Sequence, residues 1–135
     1  MTRDQFNQFT LFRYNGTQLS ITHNYSVVNN GPSMSNGDLN ILFLLPFEHK
    51  STLVPLSDNV LCSNDSTINK NIKRCNSKRY KVFSCTIPKH WQKGESKEFV
   101  INMNFSTKIT EDGSSIHLCT AALFNLSGKS SPMKY

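Results

Sequence analysis

The run LSITHNYSVVNNGP, beginning at Leu19, decides how the chain is read. Leu19, Ile21, His23, Tyr25 and Val27 alternate with Ser20, Thr22, Asn24 and Ser26. Successive strand side chains point to opposite faces, so a period of two gives one apolar and one wet face. The run stops at Asn29-Asn30-Gly31-Pro32. Asn and Gly tolerate positive φ there and Pro32 cannot donate to a ladder, so a turn follows.

The same period returns along the chain. Leu39, Ile41, Phe43 and Leu45 share one face of a second strand, which Pro46 ends. Leu42 and Leu44 lie on the other face, so this strand is expected to be covered on both sides. Lys81 to Ile87 brings Phe83, Cys85 and Ile87 together, and Pro88 and Gly94 bracket a connection containing Trp91. Phe99, Ile101, Met103 and Phe105 alternate with polar or smaller residues. A last strand carries Ile116, Leu118, Ala122, Phe124 and Leu126 on one face. Several one-faced strands separated by turns predict an all-β fold, two antiparallel sheets packed as an immunoglobulin-like sandwich. Leu53 to Arg79 is polar and poorly patterned, and reads as a long loop with short strand pieces. Residues 1–14 read as an extension or linker, 15–127 as the sandwich domain and 128–135 as a tail.

Composition agrees. The 135 residues suit one domain, and 37% hydrophobic with 18% charged residues is a globular balance. The run from Leu39 to Phe47 is too short to cross a bilayer. Residues 1–19 alternate, as in Phe6-Asn7-Gln8-Phe9, and lack the apolar core of a signal peptide. The chain is therefore expected to be a piece of a longer protein, with no membrane insertion of its own.

The net charge of +6 is concentrated in Lys70, Lys73, Arg74, Lys78, Arg79 and Lys81. No nucleic-acid-binding signature accompanies this patch, so nucleic acid is not an expected partner. Lys73, Arg74, Lys78 and Arg79 are the candidates for contact with a polyanion such as a glycosaminoglycan; a solvated loop between two strands is the plainer reading.

No catalytic constellation is legible, and no cofactor is implied. His23, His49, His90 and His117 are scattered, and His23 on an apolar face reads as a satisfied core histidine. Cys85 with His117 as base is the one nucleophile pair worth weighing, and apolar neighbours make such a thiol inert. Asp58, Asp65 and Asp112 are not spaced as a calcium loop. The four cysteines, Cys62, Cys75, Cys85 and Cys119, lack zinc spacing. Either all four are reduced or at least one disulfide forms. A Cys62–Cys75 bridge would close a short loop and stabilise by about 3 kcal/mol. Five N-x-[ST] sequons, at Asn15, Asn24, Asn64, Asn104 and Asn125, are candidate glycosylation sites. Asn24, Asn104 and Asn125 lie opposite the apolar faces of their strands.

The string from Thr22 to Ser33, with its His23-x-Tyr25-x-Val27-x-Asn29-x-Gly31-Pro32-Ser33 pattern, resembles the opening of the second calf domain of integrin alpha subunits. Pro46-Phe47, Cys85-Thr86-Ile87, the Gly94-Glu95-Ser96 turn and the strand Phe99 to Phe105 are similar to later parts of that family, so the likeness spans about residues 15 to 127. It implies a non-catalytic leg domain of a cell-surface adhesion receptor, packing beside a beta subunit and a neighbouring leg domain. It also implies a Cys62–Cys75 disulfide, with Cys85 free or paired with Cys119; the family's usual partner for Cys85 would fall near Tyr80, where no cysteine stands. Protease processing in the long loop is implied at the dibasic pairs ending in Arg74 and Arg79. The alternative is a stand-alone secreted sandwich that binds a partner through its basic loop.

Overall fold

The computed structural model describes residues 5–13, 19–29, 39–47, 50–73, 75, 77–88, 92–105 and 115–125. These form eight strands: β1 (Gln5–Arg13), β2 (Leu19–Val28), β3 (Leu39–Pro46), β4 (Lys50–Pro55), β5 (Leu61–Asn69), β6 (Arg79–Ile87), β7 (Ser96–Phe105) and β8 (Ser115–Asn125). A five-stranded sheet has the order β1-β8-β3-β6-β5 and a three-stranded sheet the order β2-β7-β4, with every pairing antiparallel. Only β5 and β6 are neighbours both in sequence and in a sheet. The other connections pass from one sheet to the other, so sandwich and core form together.

The inner faces meet in one apolar layer. Tyr25 and Val27 of β2 and Phe99, Ile101 and Met103 of β7 pack on Ile41, Phe43 and Leu45 of β3, Cys85 and Ile87 of β6 and Leu118 of β8. Phe43 lies centrally, edge-on to Tyr25 at 5.5 Å and tilted against Phe99 at 4.9 Å. Burying each such aromatic contributes about 1.5–3 kcal/mol. Along β2 and β7 buried and accessible residues alternate, because the outer face of the small sheet is wet.

β3 is buried on both faces, as its double apolar pattern predicts. A second cluster explains this: Leu44, Tyr80, Val82, Cys119 and Ala121 lie on the outer face of the large sheet, under Ile72 and Cys75 of the β5–β6 connection. At the β2–β7 end, Gly94 has φ +84°, a conformation side chains resist, and donates its N–H to the Asn29 carbonyl at 2.8 Å. Nothing lies within 4 Å of where a Cβ would stand, so the dihedral and not space calls for glycine here.

Two sequence expectations are corrected. Within the stretch expected as an extension, Gln5–Arg13 forms β1, fully paired with β8. The supposed long loop contains the end of β4 and all of β5. β5 is an edge strand with no apolar face: Leu61 is 77% exposed, and pairing with β6 recruits it through backbone hydrogen bonds, which leave no side-chain period. In β4 a buried serine interrupts the apolar pattern; the Ser51 hydroxyl donates to the Pro46 carbonyl at 3.1 Å. Leu126 and the tail lie outside the described residues.

Candidate functional site

Two sets of residues stand out, one between the sheets and one on the outer face of the large sheet.

Between the sheets, His23 Nδ1 is 2.8 Å from the Thr120 hydroxyl and His23 Nε2 is 2.6 Å from the Thr10 hydroxyl. The Tyr25 hydroxyl also meets Thr120, at 2.8 Å. One network thus joins β1 and β8 of the large sheet to β2 of the small one. It satisfies buried polar groups that would otherwise destabilise the core. Desolvation holds the His23 pKa below its ordinary value, so the ring is neutral, one nitrogen donating and the other accepting. Burial pushes the Tyr25 hydroxyl up to about 12, against the opposing hydrogen bond from Thr120. The reading of His23 as a satisfied core histidine holds. Thr10 and Thr120 carry no signal of this role, being 13 and 97 residues away in sequence.

Beside the network, a cavity of about 280 Å³ opens between β1 and β2, with Phe6, Tyr25, Phe43 and Phe124 among its walls and Gln8 and Asn24 at its polar side. Gln8 Nε2 donates to the Asn24 carbonyl across it.

The outer set is built on the disulfides, which differ from expectation. Cys62 is bonded to Cys85 and Cys75 to Cys119. Cys62 and Cys85 stand directly opposite each other in the β5–β6 register, with Cα atoms 4.0 Å apart, and pack toward the inter-sheet core. Cys75 belongs to the outer cluster. The large sheet lies between Cys62 and Cys75, so the expected bridge cannot form. Cys119 does point away from the inter-sheet core, as strand phase implies, but the loop covers it completely. Among the described residues no cysteine is free, so Cys85 offers no thiolate to act with His117.

The loop itself is closed at its neck, where Lys70 N–H donates to the Lys78 carbonyl at 2.9 Å. A tight turn follows, with Cys75 N–H donating to the Ile72 carbonyl at 3.0 Å. Ile72 and Cys75 point into the sheet and are 6% exposed, while Lys73 and Lys78 are exposed and Lys70 is half-buried. Two other basic residues of the patch are engaged elsewhere. The Arg79 guanidinium sits 4.2 Å over the Phe47 ring and also meets Thr67. Lys81 Nζ donates to the Ser51 carbonyl at 2.9 Å, and partial burial lowers its pKa. Arg74 lies outside the described residues. A cut after it would leave the pieces joined by Cys62–Cys85, not by the bridge first expected.

Among the sequons, Asn24 and Asn64 are exposed and Asn104 is half-buried, its Oδ1 accepting from the Ser20 hydroxyl at 2.9 Å. Asn15, His49, His90 and Asp112, and the side chains of Asp65 and Asn125, lie outside the described residues. Among the described residues no three His, Cys, Asp or Glu side chains are grouped to hold a metal ion.

Fold and site together define a five-on-three antiparallel β-sandwich stapled by two interleaved disulfides, of the kind that forms in an oxidising, extracellular or secretory environment. Among the described residues no helix is long and apolar enough to cross a membrane. Comparisons of the chain with protein-family models, with curated proteins and with solved structures gave no match.

Proposed function

We propose that this chain is a non-catalytic structural module of a cell-surface adhesion receptor, a leg domain like that of an integrin alpha subunit. In that role it holds a ligand-binding headpiece away from the membrane and packs beside a beta subunit and a neighbouring leg domain. The observation that carries the reading is where the resemblance-bearing residues stand. His23, Tyr25 and Val27 all point inward from β2, and the first two are hydrogen-bonded through Thr120 to the opposite sheet. His23 and Tyr25 thus join the two sheets, which suits a module that carries mechanical force. Two disulfides that tie β6 to β5 and β8 to the covering loop suit the same purpose.

The test is the complete transcript that encodes the chain. The reading predicts an open frame that continues upstream into further extracellular domains and downstream into a membrane span. A frame that begins at Met1 and stops after Tyr135 overturns it.

A further inference from the structure

We infer that the loop between β5 and β6 is a preformed binding surface for a sulfated polysaccharide, with Lys70, Lys73 and Lys78 as the contacting residues and Cys75–Cys119 as the anchor that holds them in place. This does not depend on the receptor reading; a leg domain or a secreted module can carry such a surface.

A basic loop that is merely solvated needs no internal hydrogen bonds and no buried side chains. This one is pinned at three points: the Lys70–Lys78 backbone bond, the turn from Ile72 to Cys75, and the disulfide to β8. Cys75 Sγ also lies 3.6 Å from the Lys73 carbonyl. Ile72 and Cys75 face the sheet, so the residue between them that is described, Lys73, faces solvent. A cation held in place loses less side-chain and loop entropy on binding than one on a free loop.

The charges around the loop are unbalanced. The one ion pair among the described side chains is Lys97–Glu95, on the β7 side of the molecule. No described carboxylate neutralises Lys70, Lys73 or Lys78, and Lys78 has only a 3.4 Å contact with the Asn71 amide. Three cations gathered on one pinned loop raise the local potential and attract a polyanion.

The polyanion class follows from the chemistry. The disulfides place the chain where sulfated polysaccharides, and not nucleic acids, are the polyanions encountered. Lysines are compact point charges that meet oxyanions through charge density; they lack the planar fork with which arginine reads guanine edges in pairs, so the loop offers charge and not base recognition. Arg79, the one described residue of the patch with that fork, is held over Phe47. The structure therefore revises the four contact candidates, adding Lys70 and setting Arg79 aside, with Arg74 outside the described residues.

The experiment uses the oxidised 135-residue chain and heparin as the probe, with affinity measured at several salt concentrations. Wild type is expected to bind heparin at physiological salt. The triple variant K70Q/K73Q/K78Q is expected to lose at least about ten-fold and to flatten the dependence of log affinity on log salt by about 2, from the release of fewer counterions. R79Q is expected to stay within about two-fold of wild type, since its guanidinium is already engaged. C75A/C119A, if folded by circular dichroism, is expected to weaken binding several-fold with its charges intact, because the loop must then be ordered on binding. The inference is overturned if the triple variant binds as wild type does, or if R79Q loses as much as the triple variant. Unchanged affinity in folded C75A/C119A overturns the anchoring role. Equal affinity for de-sulfated heparin, duplex DNA or phosphatidylserine vesicles overturns the assignment to sulfated polysaccharide in favour of general cation attraction.

Discussion

Removing the Cys75–Cys119 bridge should be the most informative single perturbation of stability. The bridge spans 44 residues. Loop-closure entropy for that span predicts a loss of about 4 kcal/mol when both cysteines become alanine, against about 3.4 kcal/mol for the 23 residues of Cys62–Cys85. The effects should not add, because the spans overlap: Cys75 lies between Cys62 and Cys85, and Cys85 between Cys75 and Cys119. C75A/C119A also frees the loop from its anchor, exposing Ile72 and the outer side of Leu44 and Ala121. About 4 kcal/mol in a chain of this size corresponds to a fall in melting temperature of about 14 °C. Equilibrium urea unfolding followed by far-ultraviolet circular dichroism measures the loss, and mass spectrometry of a non-reduced digest checks the pairing in the parent. A loss below about 1 kcal/mol, or a peptide linking Cys62 to Cys75, would refute the reasoning.

The other predictions concern the core and surface. Thr120→Val should cost about 2–4 kcal/mol in urea unfolding, because two buried partners, His23 and Tyr25, lose their shared hydroxyl, whereas Thr120→Ser should cost under about 1 kcal/mol. Because the folded-state pKa of His23 is lowered, the unfolded chain takes up a proton first. Stability should therefore be fully present above about pH 6.5 and fall as pH drops below it, a slope that His23→Gln should reduce when the two are compared from pH 7 to 5. Phe99→Ala should cost about 3–5 kcal/mol, as it empties a fully buried site against Phe43, read from the urea midpoint at constant slope. When the chain is made in a secretory cell, Asn24→Gln and Asn64→Gln should each raise gel mobility by one step that peptide N-glycosidase abolishes, since both side chains are exposed.

Much of the fold was legible because a half-buried strand writes its orientation into a period of two. β2 and β7 could be read residue by residue, and the double apolar pattern of β3 announced a strand covered on both faces. β1 and β5, the two edges of the large sheet, could not. β5 has no buried apolar face and β1 has one that is partly filled by Gln8 and Thr10, so in both cases backbone pairing, common to all sequences, decides the structure.

The site divides along the same line. That His23 belongs in the core follows from its phase between Ile21 and Tyr25. That its partners are Thr10 and Thr120 follows only from the packing of the two sheets. The charge of the basic patch is plain in the sequence, but not which of its cations are free, since Arg79 and Lys81 of β6 are occupied by Phe47 and Ser51 from elsewhere in the fold. Most of all, the resemblance implied Cys62 and Cys75 as partners, and the sheet that separates them is a tertiary object. By itself the amino-acid order determined which faces are apolar, where most strands turn, and that four cysteines were present to be joined. Tertiary structure alone decided which side of the sheet each sulfur reaches, because a disulfide needs Cα atoms within a few ångströms, and that distance is set by strand register and by the loop's path over the outer face.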